Sequence, residues 1–239
     1  MRDPPVRFRA GLFVTGTDTG VGKTLVSSAL VRLARSWGVR AVGFKPIAAG
    51  THPGGVNEDV AALLTASAHP GLNPSDLGPI QLEAACAPTV AASLEGRELS
   101  MFDLNPAIEH LHREADCVIV EGVGGFDVPL SKTWSTAQLA QTLGLPVLLV
   151  VGVRLGCMNH AILTARAVQA DGLPLIGWIA NRLDPDMLCS DETLADLEHV
   201  LRHRFKTPCL GRIQRLDSPA YVPREALHAD ALRPYLLPT

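Results

Sequence analysis

Three consecutive residues, Gly22-Lys23-Thr24, carry the clearest chemistry in this chain. They close the loop Thr15-Gly16-Thr17-Asp18-Thr19-Gly20-Val21, which follows the apolar run Leu12-Phe13-Val14 and leads into a helical pattern. Glycines let main-chain N–H groups turn inward without Cβ obstruction, and a helix N-terminus adds positive potential. Such a loop binds phosphate. Lys23 is placed to reach the β- and γ-phosphates of a nucleoside triphosphate, and the Thr24 hydroxyl to ligate Mg²⁺. One position departs from the usual spacing: Thr17 stands where a first glycine belongs, with Gly16 displaced by one residue. The order of strand, Gly-Lys-Thr and helix therefore carries the reading, against a chance glycine turn.

Other candidates lie at the ends of apolar runs. Lys45 follows Ala41-Val42-Gly43-Phe44, at the C-terminal lip of a strand, where open α/β sheets bind ligands. There it is either a second cation beside a transferring phosphoryl group or a solvated surface lysine. Asp59, in Asn57-Glu58-Asp59-Val60, reads first as a helix cap and second as a metal ligand. Glu121 ends Cys117-Val118-Ile119-Val120 and precedes Gly122-Val123-Gly124-Gly125. A carboxylate between a buried strand and a glycine turn suits an Mg²⁺ ligand better than a turn residue. Asn181 follows the apolar run 175–180 and either reads adenine with its amide or terminates the strand. The histidines form no ligand constellation; His199 and His203 share a helix face, without an evident third ligand.

The elements that must position these residues alternate along the chain. Strands are predicted over 12–15, 41–44, 118–121, 147–151 and 175–180, each an almost unbroken apolar run, as expected of a parallel sheet buried on both faces. Helices are predicted over 23–37, 57–66, 105–114, 136–143, 159–170 and 191–204. This rhythm implies an α/β fold, a doubly wound, mostly parallel sheet with helices on both faces. Residues 69–88 read as loop-rich, and 219–239 as a proline-containing tail without a clear period.

The chain's 239 residues suit one large domain, and 47% hydrophobic with 19% charged residues allows a sizeable core without disulfides. Lys+Arg 21 against Asp+Glu 24 gives no electrostatic reason to expect nucleic acid or an anionic membrane as partner. The cysteines (Cys86, Cys117, Cys157, Cys189 and Cys209) are odd in number and widely spaced, which implies reduced, mostly buried thiols in a reducing compartment. The first apolar run is too short for a signal-peptide core, and the stretch 143–153, broken by Gly144 and Pro146, is far below the roughly 20 residues a membrane helix needs. A soluble cytoplasmic protein is expected.

Taken together, 13–24 (FVTGTDTGVGKT), 43–50 (GFKPIAAG), 120–125 (VEGVGG), 129–131 (PLS), 150–161 (VVGVRLGCMNHA) and 177–181 (GWIAN) resemble the dethiobiotin synthetase family, in family order. LGCMNHA discriminates most, since no general nucleotide-binding argument requires it. The resemblance implies ATP-dependent carboxylation and ring closure of 7,8-diaminononanoate with CO₂, through a carbamate and its carbamic-phosphoric anhydride. It implies that Lys23 and Lys45 are catalytic and that Thr24, Asp59 and Glu121 hold Mg²⁺. Thr19, Gly20, Val21, Gly22, Lys23, Thr24 and Leu25, with Gly122, Val123 and Gly124, would surround the nucleotide phosphates. Asn181, Arg182, Gln214, Arg215 and Leu216 would meet the adenine. Thr19, Lys45, Ala49, Leu155, Gly156, Cys157, Met158 and Asn159 would contact the diamine, the last five from the second subunit of a homodimer. Four positions differ from better-known members: Gly20 for an acidic residue, Ala49 for a serine, Arg182 for a frequent aspartate, and Gln214-Arg215 for Pro-Trp.

Two rivals share the predicted fold. A partitioning-type ATPase switch carries an extra lysine early in the loop, where this chain has Asp18. A cobyrinate-type synthetase normally brings a glutamine-hydrolysing domain, for which 239 residues leave no room.

Overall fold

The computed structural model describes residues 8–51, 54–214 and 221–238. Six strands form its frame: β1 (Gly11–Gly16), β2 (Ala41–Phe44), β5 (Cys117–Glu121), β6 (Val147–Val153), β7 (Leu175–Arg182) and β8 (Cys209–Ile213). They lie in the order β2-β5-β1-β6-β7-β8, every neighbouring pair parallel. All residues of β1, β2, β5 and β6 are buried, which is why these runs are apolar without alternation. Two further strands, β3 (Ile47–Ala49) and β4 (Ile80–Leu82), pair in parallel beside the main sheet.

The helices are α1 (Lys23–Arg35), α2 (Glu58–Ser67), α3 (Pro74–Leu77), α4 (Pro88–Leu94), α5 (Asn105–Glu114), α6 (Thr136–Leu143), α7 (Cys157–Ala170), α8 (Ser190–Phe205) and α9 (Ala229–Leu236). Alternate side chains of β1 enter the two core layers, as a period of two requires. Phe13 packs in the layer that holds Leu111 of α5, Leu139 of α6, Ala161 of α7 and Leu197 of α8. Leu12 and Val14 pack with Val26 and Leu30 of α1 and Leu232 of α9. From β1 the chain goes out to β2 and returns to β5 on one side, then crosses to β6, β7 and β8 on the other. The crevice of such a switch opens at the C-terminal ends of the central strands, where the 15–22 loop leaves β1.

Five of the six main strands and six of the longer helices fall where the sequence places them. Four features correct that reading. Strand β8 has no counterpart in the prediction, because Gly211 and Arg212 interrupt its apolar run. The segment 69–88 holds α3, closed by an Asn73/Asp76 capping box, and β4. The described part of the tail contains α9, whose Leu232 and Leu236 are buried one turn apart despite Pro234. Helix α7 begins at Cys157, two residues before the predicted start, so Asn159 lies inside its first turn. Among the described residues, no helix is long and apolar enough to cross a membrane.

Candidate active site

Helix α1 starts from Gly22, which holds φ 92° and supplies no side-chain cap. The first-turn N–H groups of α1 are therefore not taken up by a cap and face the loop. A Cβ at Gly22 would lie 2.3 Å from Asn181 Nδ2, so the close approach requires glycine. Asn181 Nδ2 donates to the Val21 carbonyl at 2.9 Å, and Thr17 N–H donates to the Val150 carbonyl at 3.0 Å. The loop is thus tied to β6 and β7 from beneath. Lys23 Nζ donates to the Asp18 carbonyl at 2.9 Å. Burial, and then the neighbouring Lys45 ammonium, lower the Lys23 pKa to about 8, against the opposing pull of Glu121, Asp59 and Asp18.

Beside Lys23 lies a compact cluster of charge. The Thr24 hydroxyl stands 2.7 Å from Asp59 Oδ1 and 2.8 Å from Glu121 Oε1. Lys45 Nζ lies 2.6 Å from Glu121 Oε1, 2.9 Å from Asp59 Oδ2 and 3.3 Å from the Gly122 carbonyl. Lys45 is 3% exposed, which removes the solvated-surface reading. Burial acts to lower its pKa, but the charges and hydrogen bonds of Glu121 and Asp59 outweigh that and hold it above the usual lysine value. For Asp59, burial acts upward and is outweighed by Lys45 and by the Thr24 hydroxyl, so its carboxyl sits below the usual range. The cap of α2 is Asn57, whose side chain accepts the Asp59 N–H; the Asp59 carboxylate is free to join the cluster.

The cluster fits a magnesium ion. One hydroxyl proton cannot serve two carboxylates at once, and Glu121 Oε2 is buried without a hydrogen-bond partner. Among the described residues, no group of three His, Cys, Asp or Glu side chains could hold a metal. Two carboxylates and a hydroxyl, completed by phosphate oxygens and water, suit Mg²⁺ rather than an all-protein cage.

A cleft of about 780 Å³ joins these groups. Thr19, Gly20, Gly22, Lys23, Thr24, Lys45, Ala49, Asp59, Glu121, Val123 and Gly124 line it, as the sequence reading groups them. The same cleft takes in residues that reading missed: Asp18, Gly125, Val128 and the wall Ala85-Cys86-Ala87-Pro88. That wall carries no charge or spacing signal in the sequence. Val21 is buried within the loop, and Leu25 faces a separate groove beside α2. Arg182 pairs with Asp191 of α8, and Gln214 is exposed after β8. Arg215 and Leu216 lie outside the described residues. The turn before α7 does not line the cleft of its own chain: Leu155 is 90% exposed, Gly156 and Asn159 are exposed, Met158 is half-buried and Cys157 buried. Arg154 Nη2 lies 2.5 Å from Asp18 Oδ2, so its charge is directed at the phosphate loop.

Fold, loop and lysine–carboxylate cluster define a P-loop nucleotide-binding protein. A family described as an AAA domain matches residues 10–220. The chain is 51% identical over 203 residues to "ATP-dependent dethiobiotin synthetase BioD" of Aromatoleum aromaticum, covering 83% of this chain and 88% of that protein. To the protein of the same name in Ralstonia nicotianae it is 49% identical over 218 residues, covering 90% and 92%. Among solved structures, the MinD cell division protein of Aquifex aeolicus superposes with a TM-score of 0.54 at 14% identity, over 94% of this chain and 96% of that one. That likeness is one of fold. The chain belongs to the ATP-dependent dethiobiotin synthetase family.

Proposed function

We propose that the protein, as one synthetase unit, carboxylates 7,8-diaminononanoate and closes its ureido ring. The products are dethiobiotin, ADP and phosphate. One observation carries the reading: Lys23, Thr24, Lys45, Asp59 and Glu121 converge in a cleft that is also lined by the apolar residues Ala49, Ala85, Ala87, Pro88, Val123 and Val128. The charged groups suit phosphoryl transfer, and the apolar lining suits an alkyl chain.

In this reading the substrate amine adds to CO₂ to give a carbamate, and a carbamate oxygen attacks the γ-phosphorus as ADP leaves. Lys23, released from the Asp18 carbonyl, bridges the β- and γ-phosphates. Lys45, charged across the working pH range, neutralises the carbamate and the transferring group, where its effect is largest as charge develops. The second amine then attacks the carbonyl carbon, phosphate departs, and the ring closes within one molecule, which spares the entropy of a bimolecular step. Thr24, Asp59 and Glu121 would hold Mg²⁺, which offsets phosphate charge when bound.

The turn before α7 would grip the substrate's carboxylate from a second subunit. It begins from Gly156 at φ 93° with no side-chain cap, so its first-turn N–H groups are open to an anion. The early loop lysine of a partitioning ATPase is absent; Asp18 stands there. Incubation with diaminononanoate, labelled bicarbonate and Mg-ATP should put the label in the ureido carbonyl of dethiobiotin. A label that stays in bicarbonate while ATP is consumed would refute the assignment.

A further inference from the structure

We infer that Asn57 is a positioning residue that sets two parts of the site at once: the carboxylate of Asp59 and the cleft wall at Ala49. The side chain is buried between them. Its Oδ1 accepts the Asp59 N–H at 3.0 Å, which fixes the first turn of α2. Its Nδ2 donates to the Ala49 carbonyl at 3.2 Å and to the Gly50 carbonyl at 3.5 Å, at the end of β3. Its own main-chain N–H donates to Gln81 Oε1 at 2.8 Å, and Gln81 Nε2 donates to the Gly78 carbonyl at 3.0 Å. The asparagine is therefore held by β4 while it ties α2 to β3.

Capping alone does not explain the residue. Serine or aspartate would cap α2 as well as asparagine, but neither offers an N–H₂ group that reaches back to two carbonyls. The chain turns at Gly50 with φ 89°; the Gly50 and Thr51 N–H groups both donate to the Leu82 carbonyl of β4 at 3.0 Å, and the Asn57 amide adds the tie through the Ala49 and Gly50 carbonyls to α2. On the other arm, Asp59 receives both Lys45 and the Thr24 hydroxyl, so a drift of α2 would open the cation cluster. The part of the inference that concerns Ala49 rests on the function proposed above, which puts the diamine against that wall.

Three variants separate the two ties. Asn57→Ser and Asn57→Asp keep an acceptor for the Asp59 N–H and lose the donors to Ala49 and Gly50; Asn57→Ala loses both. The readouts are Mn²⁺ affinity in the presence of ADP, kcat and KM for diaminononanoate, and thermal midpoint. In Asn57→Ser and Asn57→Asp the diamine KM should rise about five- to tenfold, with Mn²⁺ affinity within about twofold of the parent. Asn57→Ala should show the same KM effect and, in addition, lose about fivefold in Mn²⁺ affinity. An unchanged KM in the serine and aspartate variants overturns the inference. So do losses in both readouts that simply follow thermal midpoint across all three. If the parent shows no diamine-dependent turnover, the proposed function falls instead. The Mn²⁺ arm then decides: affinity lost in Asn57→Ala but kept in Asn57→Ser upholds the Asp59 tie, and equal affinities reject it.

Discussion

The two lysines of the site share a charge type and differ in environment, and their consequences differ accordingly. Lys23 has a pKa lowered to about 8, so the free protein loses that charge as pH rises through about 8. The bound triphosphate favours the ammonium. ATP affinity should therefore fall above pH 8, and binding at pH 9 should take up close to one proton, read from the buffer dependence of the calorimetric enthalpy. Lys23→Arg should abolish the proton uptake. The stability sign is opposite. The native state binds fewer protons than the unfolded chain between pH 8 and the ordinary lysine value, so this residue's destabilising contribution is fully present below pH 8 and is relieved above it. Lys45 is held charged by two carboxylates, and Lys45→Ala leaves Glu121 buried without its cation. Turnover should drop by two orders of magnitude or more, in line with the ~3 kcal/mol typical of one preorganised donor, with a smaller effect on ATP affinity. Near-normal kcat in that variant would take Lys45 out of the chemistry. Ala49→Ser should tighten the diamine by ~0.5–1.5 kcal/mol if the new hydroxyl meets the substrate, with ATP affinity unchanged. In the sequence, Lys23 and Thr24 are legible from the Gly-Lys-Thr pattern itself. Lys45 and Asp59 stay ambiguous there, because whether a polar residue at a strand or helix end faces water or a partner depends on elements far away in the chain. Thr24 and Glu121 are 97 residues apart.

At the scale of elements, the phosphate loop works because two strands hold it and a glycine lets them approach. Gly22→Ala meets two costs at once: ~1–2 kcal/mol for a left-handed φ with a Cβ, and a contact of 2.3 Å with Asn181 Nδ2. Gly20 has φ 72° with open space around a Cβ, so Gly20→Ala carries only the first cost. Calorimetry should show Gly22→Ala losing nucleotide binding and a larger share of thermal stability, and Gly20→Ala retaining binding. Equal behaviour of the two would mean that Asn181 does not set the loop. The elements a sequence reading captures are those with one dominant signal, such as the unbroken apolar strands and helices with clear stops. Strand β8 escapes it because it lies at the sheet edge, exposes Arg212 and has its apolar run broken by Gly211. Strands β3 and β4, three residues each, carry too little pattern to stand out, although β3 ends at Ala49 in the cleft. The Asn57 cap has a readable signal, an asparagine ahead of Glu58 and Asp59, but the tie from its amide back to β3 has none.

For the whole molecule, the sheet order places the cation cluster at the C-terminal edge of β1, β2 and β5, and the α7 turn at the same edge of β6. Within one chain that turn leaves Leu155 almost wholly exposed and outside the cleft, as a turn made for a second subunit would. Sedimentation should show a homodimer, and Gly156→Asp should weaken diamine binding by setting a like charge beside the carboxylate while ATP affinity is kept. A dimeric Gly156→Asp protein with parental diamine affinity would place the carboxylate elsewhere. The class of fold is legible in the sequence because it follows from local rhythm, whereas the completed cleft, made by segments from 18 to 128, is not. In this synthetase, phosphoryl transfer should be committed to the diamine. The most direct measurement is ADP release with diaminononanoate and bicarbonate supplied separately and together. ADP should be released only when both are present, with one ADP for each dethiobiotin formed. Release at the same rate without the diamine would contradict it.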